Sequence, residues 1–172
     1  ELLALMRPAA HNYEELALDY ASAGCWEEAL MAAETAIGQN VSGQTMLHYY
    51  KSWFLIQLDR KEEALAAIRE AEQQLPDCCF PNVLEAILAL QSVIGFATET
   101  PKALYYLGNL WYDKRQYPEA ITCWETSMQQ DDTFPTVLRN LSLAYFNKLN
   151  RQDEAVTLLE KAFALDMTDA RI

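Results

Sequence analysis

The sequence predicts an all-α fold made of paired amphipathic helices. Three observations carry this expectation. Ala, Leu, Glu and Gln dominate, and these are good helix formers; 5 Gly and 6 Pro in 172 residues are too few turn residues for a many-stranded β protein. Apolar residues recur at spacings of three and four, the signature of one helical face. The two-helix pattern then returns with a period of 34 residues, most cleanly over Pro101–Phe134. A chain of this length buries a substantial core, and 51% apolar residues exclude a disordered one.

Glu1 to Met6 reads as a short apolar helix ended by Arg7-Pro8, since proline disfavours helix in the residue before it. The first repeat spans 10–43. Tyr13, Leu16, Ala17 and Tyr20 mark one helix face, and Gly24 ends that helix by accepting the left-handed cap conformation. Its second helix, Trp26 to Ile37, presents Ala29, Ala33 and Ala36, small residues that admit close helix packing. The second repeat, 45–78, carries Ser52, Leu55, Ala64, Ile68, Ala71 and Pro76. Lys51 breaks its pattern by standing at an apolar position, so either its stem lies along the core with the ammonium outside or the helix is locally rotated.

Between two in-phase repeats, 79–100 supplies only 22 residues where 34 are expected. Leu84, Ile87, Leu90 and Val93 give this stretch one broad apolar face, read as one main helix from about Asn82 to Phe96, with two short helices as the alternative that the sequence leaves open. In the third full repeat, 101–134, Thr100-Pro101 reads as N-cap and first helical residue, and Pro118 opens the second helix. The last repeat, 135–169, carries Leu138, Leu141, Ser142, Tyr145, Ala155, Leu159 and Ala162, with one extra residue in its turn between Asn147 and Gln152.

Leu104, Leu107, Gly108, Trp111, Ala120, Trp124 and Ser127 at these offsets resemble a tetratricopeptide repeat, and the other repeats follow the same ruler. The resemblance implies a right-handed α-solenoid of helix-turn-helix pairs, here a single domain over 1–172 with one contracted, degenerate repeat in its middle. It also implies a protein-interaction role without catalysis. A second resemblance, carried by HNYEELALDYASAG, YYLGNLWYDKRQYPEAITCWE and TFPTVLRNLSLAYFNKLN, is to the repeat region of large bacterial proteins. There the repeats follow a β-sandwich similar to galactose mutarotases, implying a structural spacer or docking role in a carbohydrate-active protein. With no initiator Met, and Ala170–Ile172 reading as the opening of a further helix, the chain reads as a piece of a longer protein.

The formal charge of -12 argues against nucleic acid, whose phosphates need a basic surface. Much of the acid, Glu27-Glu28, Glu62-Glu63, Glu119 and Asp153-Glu154, falls in first turns, where carboxylates favour the positive helix end. The four cysteines, including the adjacent Cys78-Cys79, show neither metal-ligand nor CxxC spacing, and a reducing cytoplasm is their simplest setting. No apolar run approaches the 18 residues of a membrane span. His11 and His48 form no HExxH, and neither GxSxG nor a phosphate-cradling glycine loop occurs, so no enzyme, metal or cofactor is expected.

The resemblance places a ligand groove on first-helix residues that face away from the core. These are His11, Glu14, Leu18 and Ala21 in the first repeat, and Met46, Tyr49, Trp53 and Ile56 in the second. Lys102, Tyr105, Asn109 and Tyr112, then Thr136, Arg139, Leu143 and Phe146, follow in the later repeats. Tyr49, Trp53, Lys102, Tyr105, Asn109, Tyr112, Arg139 and Phe146 are the candidate binding set, because interfaces favour aromatics and arginine. The expected ligand is a protein, a mostly apolar peptide or another domain of the same chain. The terminal-carboxylate clamp of chaperone-binding members is not expected, since Tyr49 and Trp53 replace its Lys and Asn, and Tyr106 its Arg.

Overall fold

The computed structural model describes residues 9–39, 44–76 and 79–168; the expectations for Glu1–Met6, Cys78 and Ala170–Ile172 lie outside them. The described residues form nine α-helices and one π-helical turn, with no strand. The chain divides into two units, Glu1–Thr98 and Glu99–Ile172. The all-α expectation holds in both, with helices joined as helix-turn-helix pairs.

In the first unit, α1 (Ala10–Ser22) pairs with α2 (Trp26–Gly38), and α3 (Thr45–Gln57) pairs with α4 (Lys61–Gln73). Both turns use one mechanism. A left-handed residue, Gly24 at φ +77° and Asp59 at φ +55°, reverses the chain. The next amide then reaches back to the preceding helix, Cys25 N–H to Tyr20 C=O at 2.9 Å and Arg60 N–H to Leu55 C=O at 3.0 Å. These bonds satisfy carbonyls that the helix end leaves unpaired. Glycine bears that φ without a Cβ clash, whereas Asp59 bears it at a cost.

Ala29, Ala33 and Ala36 of α2 and Ala64 and Ala71 of α4 are fully buried, so the small residues serve close packing as expected. Lys51 follows the first of its two readings. Its stem is largely covered, and Nζ lies 3.5 Å from Glu34 of α2 and 4.0 Å from Glu70 of α4.

The contracted stretch holds a single helix, α5 (Leu84–Phe96), which packs on α3 through Ala86, Ala89, Leu90 and Val93. It starts at Leu84 rather than near Asn82, because Val83 is extended (φ -102°, ψ 157°) and Cys79–Val83 is non-helical. Thus α2, α4 and α5 enclose α3, and every residue from Thr45 to Leu55 except Lys51 is buried.

In the second unit, α6 (Pro101–Asp113) pairs with α7 (Tyr117–Gln130), and α8 (Pro135–Ala144) with α9 (Gln152–Leu165). Thr100 and Pro101 take the N-cap and first helical positions as expected, and Pro118 lies in the first turn of α7. Gly108 is a close-approach site: a Cβ built there lies 2.4 Å from Trp124 Nε1 and 2.5 Å from its Cδ1. The indole fills that space, and its N–H donates to Tyr105 C=O at 3.2 Å. At the other end of the pair, the Ser127 hydroxyl donates to Pro101 C=O at 2.7 Å, and Thr100 N–H donates to Gln130 Oε1 at 2.8 Å. Leu138 and Leu141 are fully buried on α8, each worth about 1.5–3 kcal/mol by area.

The turns repeat the geometry of the first unit. Arg115 sits at φ +61° and Gln116 N–H donates to Trp111 C=O at 2.9 Å. The extra residue of the last repeat is absorbed by a π-helical turn, Tyr145–Leu149, which widens the end of α8 by one residue. Asn150 then takes the left-handed position at φ +55°, and Arg151 N–H closes on Tyr145 C=O at 3.0 Å. The Ser142 hydroxyl joins α8 to α9 by donating to Ala155 C=O at 2.7 Å.

Candidate functional site

The first helices of each unit bring their predicted groove residues to different outcomes. In the first unit, His11, Glu14, Leu18 and Met46 line a cavity of about 290 Å³ whose opposite wall is Cys79–Val83. Burial raises the Glu14 carboxyl from its ordinary value. Burial in turn pushes the Tyr50 phenol well upward, and Glu14 and Glu85 add to the effect.

Tyr49 and Trp53 were expected to project into a groove, and the structure puts both inside the unit. Tyr49 is fully buried and its hydroxyl donates to Glu72 Oε1 of α4 at 2.9 Å. Trp53 is 7% exposed and packs edge-on against Trp26 of α2, with ring centroids 5.5 Å apart. The cause is the enclosure of α3 on three sides, which leaves it no open face.

In the second unit, Tyr105 is likewise buried. Phe134, at the entry to α8, closes on it with centroids 4.9 Å apart, and Tyr106 lies at 5.1 Å. The next residues along the same face of α6 remain accessible. Asn109 and Tyr112 join Arg139 and Leu143 of α8 in a cleft of about 230 Å³ floored by Trp124. Three of the predicted residues, Asn109, Tyr112 and Arg139, therefore converge. Lys102 is half-exposed on the first turn of α6, and Phe146 is 56% exposed on the π-helical turn; neither lines the cleft.

Asn140, which the groove positions passed over, ties the cleft together. Arg139 Nη1 donates to Asn140 Oδ1 at 3.1 Å, and Asn140 Nδ2 donates to Asn109 Oδ1 at 3.0 Å. The chain of bonds links both amides, with Asn109 Oδ1 as the acceptor. Tyr112 packs on Trp124 at 5.4 Å and on Tyr117 at 5.0 Å. Lys148, carried by the π-helical turn, stands 3.9 Å above the Tyr117 ring. The arrangement sets hydrogen-bonded side chains, Arg139, Asn140 and Asn109, beside the Tyr112 and Trp124 rings.

Elsewhere in this unit, burial raises the Cys123 thiol to about 11. Burial, then a hydrogen bond to Glu125 at 2.6 Å, raises the Tyr145 phenol to about 12. Among the described residues, no group of three or more His, Cys, Asp or Glu is placed to hold a metal ion. No described helix is long and apolar enough to cross a membrane.

Residues 101–134, the α6–α7 pair, match the family model for the tetratricopeptide repeat. Among solved structures, a crystal structure of MamA is 20% identical over 95% of this chain and 81% of its own, with a TM-score of 0.49. YrrB, described as a TPR protein with an unusual peptide-binding site, is 16% identical over 95% and 90%, at a TM-score of 0.45. MamA residues 41 to the end from Desulfovibrio magneticus RS-1 is 15% identical over 94% and 97%, at 0.44.

Proposed function

We propose that this chain is a non-catalytic protein-interaction module built throughout from tetratricopeptide-type repeats, and that it binds an extended peptide or a domain in the α6/α8 cleft. The observation that carries the reading is the fixed Arg139–Asn140–Asn109 bond chain beside Tyr112, Trp124 and Leu143. Ordered polar groups next to rigid rings bind with little loss of conformational freedom. A cytoplasmic setting fits the unbridged thiols of Cys25 and Cys123.

The test is selection of peptides by display on the whole chain, followed by affinity measurement against Tyr112→Ala and Asn109→Ala. Selected peptides are expected to lose about tenfold or more on either change, the size of one interface anchor. Affinity for both variants equal to that for the unaltered chain refutes the cleft as the site.

A second reading, a structural spacer or docking domain in a larger carbohydrate-active bacterial protein, is favoured by one observation. In the first unit Tyr49 and Trp53 are buried within the helix packing and present no open ring surface. On this reading no display selection yields a cleft-dependent peptide.

A further inference from the structure

The two sides of α5 differ sharply. Ala86, Ala89, Leu90 and Val93 are buried on the side that packs on α3. The opposite side is a stripe at spacings of four, three and four, Leu84, Leu88, Gln91 and Gly95. All four are exposed, Leu84 at 71% and Leu88 at 53%, and Phe80, just ahead of the helix, is 81% exposed. The outward sides of other second helices carry carboxylates there, Glu28 and Glu34 on α2, Glu63 and Glu70 on α4. No charged residue occurs from Ala86 to Thr98. Loss of charge around clustered apolar side chains marks the centre of a protein interface. Gly95 points the same way. Glycine inside a helix weakens it, this one is not in the left-handed conformation, and a Cβ built on it meets nothing within 4 Å. Nothing in the packing of α5 itself calls for a glycine there.

We propose that the outward face of α5 is a self-association surface, on which a second copy of this chain packs its own α5 antiparallel. The stripe complements itself in that direction. A two-fold axis between Leu88 and Gln91 sets Leu84 over the partner's Gly95 and Leu88 over the partner's Gln91, so a leucine fills the space that each glycine leaves. The flanks agree. Ile87 falls beside the partner's Ile94, and Glu85, the one charge of the helix, beside the partner's Ser92, so no like charges meet. Phe80, Leu84 and Leu88 expose about 350 Å² of apolar surface per copy, the size of patch that is often functional on a monomer. With Gln91, Gly95 and the flanking isoleucines the pair buries about 1,000 Å² in all, the lower bound of a specific interface and the range of reversible pairing. The surface lies in the first unit, and the proposal is independent of peptide binding by the α6/α8 cleft.

The test is sedimentation equilibrium of the whole chain under reducing conditions, from about 1 μM to about 1 mM, a span that brackets micromolar and weaker pairing. The average mass is expected to climb from one chain towards two. Raising the salt is expected to tighten the pairing, because each copy carries a charge of -12 that salt screens. Leu84→Glu with Leu88→Glu is expected to weaken it about a hundredfold or more, by setting carboxylates into the contact. Gly95→Leu, which closes the space over which the partner's Leu84 lies, is expected to weaken it about tenfold. A chain that stays single at the highest concentration overturns the proposal and leaves the face to a different protein. A dimer that survives both changes at unchanged helical ellipticity has its contact elsewhere and overturns it equally. Should the double variant lose helicity, Gly95→Leu alone decides, with the same two outcomes.

Discussion

Replacing Gly108 by alanine sets a methyl group against the Trp124 indole, 2.4 Å from Nε1 and 2.5 Å from Cδ1. Both distances are far inside van der Waals contact, and the obstacle is a ring packed at 3% exposure rather than a flexible side-chain end. Overpacking of this kind costs about 1–3 kcal/mol. Shifting the indole also breaks its bond to Tyr105 C=O, worth about 1 kcal/mol. Alanine's better helix propensity returns about 1 kcal/mol. The net expectation is a loss of about 1–3 kcal/mol, or a fall in Tm of about 2–12 °C for a chain of this size. Gly95, within α5, has nothing within 4 Å of a built Cβ, so Gly95→Ala is the control and should raise Tm slightly. Thermal denaturation followed by circular dichroism reads both. A Gly108→Ala variant as stable as Gly95→Ala refutes the close-approach argument. Trp124→Phe in the Gly108→Ala background is expected to cost less than the sum of the two single changes, because the smaller ring vacates the contested space.

Arg115→Gly is expected to stabilise the chain by about 0.5–1 kcal/mol by relieving a left-handed non-glycine residue, while Gly24→Ala should cost about 1 kcal/mol; denaturant titration measures both. For Glu14, the folded-state value is raised, so the native state binds more protons and its stability falls as pH rises through that window. Glu14→Gln is therefore expected to raise Tm at pH 7 and leave it unchanged near pH 4; the opposite pattern refutes the burial argument. At pH 8, Cys123 is expected to react with iodoacetamide about tenfold or more slowly in the native chain than in urea, since burial lifts the thiol to about 11.

How much of this was readable in the residues differs by element. Helix positions followed from apolar spacing, because each pair buries its face locally. Gly24 announced its turn by residue type, whereas Asp59, Arg115 and Asn150 do the same work and are visible only through their repeat position. The surplus residue of the last repeat was countable, but that it widens α8 into a π-helical turn depends on Arg151 closing on Tyr145. The groove was less legible. Tyr49, Trp53 and Tyr105 sit at the same repeat positions as residues that stay accessible, and their burial is decided by distant elements: α2, α4 and α5 around α3, and Phe134 over Tyr105. The apolar face of the contracted stretch favoured one main helix, but the residue pattern alone does not decide between one helix and two short ones. Asn140 went unnoticed because it stands beside a groove position rather than on one, and only the 3.0 Å bond to Asn109 reveals its part.

The most direct test of the central claim is to map a display-selected peptide on the intact chain by amide chemical-shift perturbation. The account predicts shifts concentrated at Asn109, Tyr112, Asn140 and Leu143, on α6 and α8, with the Trp124 indole resonance moving alongside them. Shifts concentrated instead on the outward residues of α7, such as Glu119 and Thr122, with the cleft unmoved, contradict it.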